Sequence, residues 1–381
     1  MDNIQMTDLT GQYAKIQPEI DEAVLRVMRG GRYINGPEVG MFAEALQNYT
    51  GAKHVIPCAN GTDALQIALM ALGLKAGDEV IVPAFTYVSP VEVVGLLGLT
   101  PVLVDVDPDS FNVTANNIER GISAQTRAVI VVHLFGQSCD MLPIMELAHK
   151  YHLTVIEDNA QSIGARYTIP PTPLYKNWTE RRQTGTIAPI GCTSFFPNKN
   201  LGCFGDGGAM LTNDDVLADK LKKITNHGQT EKYYHELLGC NSRLDTLQAA
   251  VLNVKLKYLN NYMAARQKVA KIYKEGLRGV EGIATPKEHP FSTHVYHQYT
   301  LKVGDGKRDA LKQYLAEQGI PTAIYYPRPL QEQPAFKFIA RTAEPLRVAK
   351  ELSQSVLSLP MHSELTAEQQ QFIIDKIKAF A

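Results

Sequence analysis

An α/β fold is what this sequence predicts: a mostly parallel central sheet, with a smaller C-terminal α+β domain. Three observations predict it. Between about residues 54 and 225, short runs made almost wholly of valine, isoleucine and leucine alternate with helical periods, as in a parallel sheet covered by helices on both faces. A long helical stretch follows over residues 242–275, and beyond about residue 278 the pattern changes to strand, helix, helix, strand, helix. The expected division is a large α/β domain over 1–250, and a long connecting helix plus small domain over 251–381.

Residues 16–29 and 38–49 read as amphipathic helices around the turn Gly30-Gly31-Arg32-Tyr33-Ile34-Asn35-Gly36-Pro37. A strand over 54–57 leads into a helix over 62–72, and a strand over 79–83 into a helix over 88–97. Strands follow over 101–105 and 128–133, then a helix over 141–149 and a strand over 154–157. Residues 168–189 break the rhythm: Thr168-Ile169-Pro170-Pro171-Thr172-Pro173 cannot hold regular structure, so an exposed loop is expected. Strands over 192–196 and 209–212 and a helix over 214–225 resume the alternation. Ser242-Arg243-Leu244-Asp245 offers an N-cap for the long helix. The small domain reads as a strand over 295–303, helices over 307–318 and 345–352, a strand over 356–359 and a helix over 367–380.

Bulk properties exclude several functions. Among 381 residues, 45% are hydrophobic and 20% charged, the balance of a globular enzyme. A formal net charge of −1 gives no electrostatic case for nucleic acid or an anionic membrane. Met1-Asp2-Asn3-Ile4-Gln5 lacks the basic start of a signal peptide, and no apolar run is long enough to span a bilayer, so a cytoplasmic location is expected. Cys58, Cys139, Cys192, Cys203 and Cys240 are widely spaced without a CxxC pair, which implies free thiols and no metal site.

The chemistry centres on Lys199, in Thr193-Ser194-Phe195-Phe196-Pro197-Asn198-Lys199-Asn200-Leu201-Gly202. An ordinary lysine is a solvated surface charge. This one has apolar neighbours, which lowers the pKa of an ammonium and favours a free amine able to attack an aldehyde. Asp158 follows the strand Leu153-Thr154-Val155-Ile156-Glu157, at the strand end where open α/β sheets bind ligands. A carboxylate there suits the ring nitrogen of pyridoxal 5'-phosphate and also suits a helix N-cap. Glu157 beside it points the other way, toward structural contacts. Gln161 lies one helical turn on from Asp158 and can contact a ring or serve as a polar cap. Asn60-Gly61-Thr62-Asp63 opens a helix, where backbone N–H groups bind anions such as phosphate, and Ser194 can add a hydroxyl. Tyr87 fits a stacking partner for a cofactor ring or a core aromatic. Asn241 can bond a phosphate, and Arg243 a carboxylate, a diphosphate or a surface partner.

Taken together, these segments resemble the DegT/DnrJ/StrS family of nucleotide-sugar aminotransferases. The likeness runs through Gly36-Pro37-Glu38-Val39, Ala59-Asn60-Gly61-Thr62-Asp63-Ala64-Leu65, Glu157-Asp158-Asn159-Ala160-Gln161-Ser162, Ser194 to Gly202, Asn241-Ser242-Arg243-Leu244-Asp245 and Ser358-Leu359-Pro360-Met361-His362. The resemblance implies the fold type I architecture of aspartate aminotransferase. It implies that Lys199 binds pyridoxal 5'-phosphate as a Schiff base and that Asp158 pairs with the pyridine nitrogen. Gln161 and Tyr87 would contact the ring, and Gly61, Thr62 and Ser194 the phosphate. Asn241 would reach the phosphate of a neighbouring subunit, making a homodimer with two shared sites.

Within the family the chain is similar to enzymes that aminate UDP-2-acetamido-2-deoxy-3-oxo-glucuronate with L-glutamate for surface polysaccharide or lipopolysaccharide assembly. Where that subgroup is expected to carry His-Tyr-Pro, this chain has Tyr325-Tyr326-Pro327, and its 168–189 loop is longer. Tyr325, Tyr326 and Arg243 are the expected sugar-nucleotide contacts. The alternatives are a 4-keto-6-deoxy-sugar 4-aminotransferase and a non-catalytic regulatory protein that binds the same cofactor.

Overall fold

The computed structural model describes residues 4–168 and 181–381. Helices α1 (Leu9–Gly30) and α2 (Pro37–Thr50) open the chain. The alternation then runs β1 (His54–Cys58), α3 (Gly61–Leu72), β2 (Glu79–Pro83), α4 (Ser89–Leu96), β3 (Thr100–Val104), α5 (Ala115–Gly121), β4 (Thr126–Val132), α6 (Met141–Tyr151) and β5 (Thr154–Asp158). A short hairpin of β6 (Arg166–Thr168) and β7 (Arg181–Gln183) precedes β8 (Ile190–Ser194), β9 (Gly208–Thr212), α7 (Asp215–Ile224) and a second hairpin, β10 (Gln229–Glu231) with β11 (Tyr234–His235). Then come α8 (Thr246–Leu256), α9 (Leu259–Gly276), β12 (Ile283–Ala284), β13 (Tyr299–Val303), α10 (Arg308–Glu317), β14 (Arg341–Thr342), α11 (Arg347–Ser355), β15 (Val356–Leu359) and α12 (Ala367–Phe380).

The described residues build an eight-stranded sheet in the order β1-β9-β8-β5-β4-β2-β3-β14. From β8 to β14 every pairing is parallel, while β9 runs antiparallel to both of its neighbours. The C-terminal ends of β1, β8, β5, β4 and β2 therefore lie along one edge, and that edge carries the site. The strands are buried on both faces because α3 to α7 flank them in one apolar cluster. A second cluster joins α9, α10 and α12 to β13 and β15, and a third packs α2 and α8 beneath Phe195, Leu201 and Cys203.

Four expectations are corrected. The helix expected over 242–275 is two helices, α8 and α9, broken at Lys257 and Tyr258. At the break, Lys257 Nζ and Tyr258 Oη both bond Glu19 of α1. Meanwhile α8 buries Ala249, Val251, Leu252 and Lys255 near α1 and α2, and α9 turns to the second cluster. Ser242 does not cap α8; its Oγ accepts from the Ala59 N–H at 3.1 Å. The strand expected over 295–303 begins only at Tyr299, because the Val295 N–H is spent on Gly136 O at 2.9 Å. Of the loop expected over 168–189, residues 169–180 lie outside the described residues, but 183–188 are buried, not exposed. Several elements had no counterpart in the sequence reading: α5, started by a capping box between Thr114 and Asn117, the short hairpins β6–β7 and β10–β11, β12, and the edge strand β14.

That edge strand belongs to a strap running back from the second cluster across the large sheet. The Leu330 N–H bonds Ala84 O at 3.0 Å, β14 pairs with β3, and Asp105 accepts from the Val348 and Ala349 N–H groups at 2.9 and 2.8 Å, capping α11 from across the strap. Arg341 Nε and Nη2 each meet a Glu79 carboxylate oxygen at 2.9 Å. Burial alone would raise the Glu79 carboxyl, but Arg341, Ser123 and Thr126 hold it below its ordinary value. Replacing Arg341 leaves a mostly buried carboxylate without its cation, so Arg341→Ala should cost about 1–3 kcal/mol at neutral pH, read as a lower melting temperature. A depressed carboxylate stabilises the fold above its unfolded pKa, near 4.5, and stops doing so as pH falls through the folded value. The melting curves of variant and wild type should therefore converge in acid; a gap that persists there would assign the loss to packing.

Candidate active site

The sheet register brings the site together. Val132 of β4 stands beside Asp158 of β5, and Asp158 beside Cys192 of β8. Ser194 and Cys58 both face Gly208 of β9. The ends of β5, β8 and β1 are thus neighbours, and the residues following them converge.

Lys199 sits in the turn after β8. Its N–H bonds Phe196 O at 2.8 Å, and the Cys203 N–H returns to Phe195 O at 2.8 Å. The loop folds so tightly that a Cβ at Gly202 would lie 2.3 Å from Pro197 O, so no larger residue fits there. Lys199 itself is partly buried. Burial lowers its pKa to about 8, with the Asp158 charge opposing the shift. Asp158 is buried, and desolvation raises its carboxyl against the Ala160 N–H, which donates to Oδ1 at 3.0 Å, and against the positive charge of Lys199. Both groups are thus pushed toward neutrality.

Glu157, next to Asp158 on β5, faces away from it as expected. Its carboxylate accepts from His133 Nε2 at 2.9 Å and from the N–H groups of Gly185, Ile187 and Ala188 at 2.7, 2.7 and 2.6 Å. His133 Nδ1 accepts from the Cys139 N–H at 3.1 Å, so Nε2 carries the proton.

Gln161 is fixed at both ends: Oε1 accepts from the Phe135 N–H at 2.6 Å and Nε2 donates to Tyr326 Oη at 3.2 Å. Tyr326 lies 6.2 Å from Tyr87 and 6.0 Å from Tyr325, ring centroid to centroid. Burial raises the phenol pKa of both Tyr325 and Tyr326. Tyr87 is 56% exposed, an aromatic face left open beside the buried Phe85. It is therefore not a core residue.

The turn into α3 forms a cradle. Asn60 caps the helix, its Oδ1 accepting from the Asp63 N–H at 2.8 Å. The Gly61 and Thr62 amides precede the first i→i−4 bond and remain as donors. A Cβ at Gly61 would lie 2.6 Å from Ser194 Cβ, so glycine is what lets the cradle close on Ser194. Thr62 Oγ1 is 2.7 Å from Ser89 Oγ. Sequence reasoning missed Ser89, although a serine before Pro90 at the start of a helix is a readable signal.

Lys199, Asp158, Gln161, Gly61, Thr62, Ser194, Tyr87, Tyr325 and Tyr326 are brought to one edge. Asn241 and Arg243 are not joined to them by any side-chain bond among the described residues. Asn241 is exposed, and its Oδ1 accepts from Arg243 Nε at 2.9 Å. Their segment is nonetheless held against the cradle through Ser242. Among the described residues no cluster of side chains could hold a metal ion, and no helix is long and apolar enough to cross a membrane.

These residues fit pyridoxal phosphate. The cradle offers amides and hydroxyls for a phosphate, the raised Asp158 carboxyl lacks a cation that a protonated ring nitrogen supplies, and Lys199 is a weakened base beside it.

Comparison with known proteins agrees. The chain matches the DegT/DnrJ/EryC1/StrS aminotransferase family over residues 14–378. It is 46% identical over 362 residues to UDP-2-acetamido-2-deoxy-3-oxo-D-glucuronate aminotransferase of Pseudomonas aeruginosa, a match covering 95% of this chain and 96% of that protein. It superposes on S. venezuelae DesV in complex with a ketimine intermediate with a TM-score of 0.93 at 37% identity, over 100% of this chain and 99% of that one. With NtdA from Bacillus subtilis with bound cofactor PMP the TM-score is 0.85 at 31% identity, over 95% and 81% of the two chains. The match takes in the whole large sheet, the strand ends at its active edge and nearly all of the smaller domain, and the chain therefore belongs to the DegT/DnrJ/EryC1/StrS aminotransferase family.

Proposed function

We propose that this sugar aminotransferase moves the amino group of L-glutamate onto the 3-keto group of UDP-2-acetamido-2-deoxy-3-oxo-glucuronate, for surface polysaccharide or lipopolysaccharide assembly in the cytoplasm. Its cofactor is pyridoxal 5'-phosphate. The observation that carries the reading is Lys199, a partly buried lysine with its pKa lowered to about 8, electrostatically coupled to the buried Asp158 on the same strand-end edge as the Gly61 cradle. The substrate rests on the relative from Pseudomonas aeruginosa.

Bound pyridoxal phosphate supplies an electron sink for the pair left behind when a Cα proton departs. Asp158 holds a negative charge where the ring nitrogen is protonated. Gly61, Thr62 and Ser194 hold the phosphate, and Tyr87 and Gln161 orient the ring. Lys199 Nζ takes the proton from the Cα of glutamate, whose carbon skeleton leaves as 2-oxoglutarate, and returns a proton at C3 of the sugar in the second half. Tyr325, Tyr326 and Arg243 would contact the sugar nucleotide.

A homodimer with shared sites is part of the proposal. It is supported by the position of Asn241, exposed and unbonded to its own cradle, and by the hairpin region beyond α7. There Tyr233, Tyr234 and Leu238 are 78%, 68% and 91% exposed, as side chains that a second copy covers would be.

Two outcomes are expected. The lysine-bound cofactor should show a yellow absorption band that L-glutamate discharges, with an amino group at C3 in the isolated sugar product and no turnover in Lys199→Ala. Transamination retained in that variant would sink the reading. A band unmoved by glutamate would mean another donor or a non-catalytic role, and a 4-amino product another sugar. Secondly, band formation from cofactor-free protein and pyridoxal phosphate should speed up about tenfold per pH unit below about 8 and level off above it. Only the neutral amine attacks, so an inflection near the ordinary 10.5 would show a solvated lysine.

A further inference from the structure

The Lys199 turn is clamped by a segment of the second cluster. Asn200, the next residue, donates from Nδ2 to Val295 O at 3.2 Å. On its other side the same segment meets the turn after β4, where the Val295 N–H bonds Gly136 O at 2.9 Å and the Gln298 N–H bonds Phe135 O at 3.4 Å. Phe135 is the residue whose N–H Gln161 holds. From α9, Arg266 Nη1 donates to Tyr296 O, His297 O and Met361 O at 3.1, 3.2 and 3.0 Å. Arg266 is buried and forms no ion pair among the described residues; its guanidinium serves to pin these carbonyls.

The bracket presents His297, 6% exposed, with Nδ1 enclosed and without a hydrogen-bond partner. Burial, then the positive charges of Lys199 and Arg266, keep its imidazole well below the ordinary histidine pKa, which favours the neutral ring. A buried ring nitrogen without a partner is costly unless another state of the protein supplies one. Lys199, in the turn that this segment clamps, is the group whose partner would change during the reaction: its amine would hold the cofactor at rest and be freed once the substrate amine took its place.

We propose that His297 is a positioning residue for Lys199: its unpaired ring nitrogen accepts an N–H of the released amine and turns the amine's lone pair toward the carbons it serves. The charged groups facing the pair are Arg266 from α9 and Asp158 from β5. The inference rests on Lys199 being the Schiff-base lysine. It adds a neutral hydrogen-bond acceptor, supplied by the second cluster, to a site otherwise built from the large sheet.

Stopped-flow formation of the yellow band, on mixing cofactor-free protein with pyridoxal phosphate across the pH range, tests it. His297→Phe keeps a ring but removes the acceptor, and His297→Asn returns one. The phenylalanine variant should form the same final band about tenfold or more slowly at every pH. The pH midpoint should stay near that of the wild type, and the asparagine variant should regain most of the rate. A wild-type rate in His297→Phe would overturn the proposal, and so would equal slowness in the asparagine variant with a native melting curve, since a purely structural role predicts no rescue. If the phenylalanine variant does not fold, His297→Leu, nearly isosteric with asparagine, replaces it in the same comparison. Absence of the band in wild-type protein would overturn the reading of the site, and the proposal with it.

Discussion

Everything at the active edge depends on one buried anion, the Glu157 carboxylate. Among the described residues its hydrogen bonds come from one imidazole and three backbone N–H groups, and Arg182 lies close enough to feel its charge. Leaving such a charge unpaired would cost several kcal/mol, so the four donors are held where they are. They come from the end of β4 and from the turn leading into β8. Glu157 therefore ties three segments at one point, and the alternation of a strand does the rest. With Glu157 committed to one face, Asp158 is delivered to the other. The segment that carries Lys199 starts from the turn that Glu157 anchors.

The electrostatics of the site follow from that fixed frame. Burial pushes Lys199 and Asp158 toward their neutral forms, and each one's charge partly reverses the other's shift. Neither is a strong ion pair with the other, and no hydrogen bond joins them among the described residues. Such a pair can trade its mutual attraction for a ligand that brings both a cationic nitrogen and an electrophilic carbon. A tight salt bridge would have to be broken first.

Much of this was legible in the sequence because it depends on local pattern. Valine and isoleucine runs marked the parallel strands, and Asn60-Gly61-Thr62 marked the cradle. The Lys199 segment carries its own signature of aromatics, proline and glycine. What was not legible depends on distant partners. Nothing near Lys257 announces that α8 will pack on α1 and α2 while α9 turns to another cluster. Residues 183–188 look like loop because the Gly185, Ile187 and Ala188 N–H groups are satisfied by a side chain from another strand. His297 reads as one scattered histidine until Asn200, Gly136 and Arg266 bring its segment to the lysine. The two-residue β14 is too short to carry periodicity and exists only because β3 offers it an edge.

The strap has a consequence for how this scaffold can change. The stretch bearing Tyr325 and Tyr326 is anchored just before them, where Ala323 exchanges backbone hydrogen bonds with Ser358 at 3.1 and 2.7 Å, and just after, where Leu330 bonds Ala84. Its path is set by main-chain contacts at both ends, and both ends sit on buried clusters. Side chains along the span that make no bond to the site, unlike Tyr326, which holds Gln161, can be exchanged without changing that path. The Tyr325 found where the resemblance leads one to expect histidine is a substitution of that kind. If Tyr325 and Tyr326 contact the sugar nucleotide as proposed, a lineage could drift from one sugar to another by rewriting these few positions.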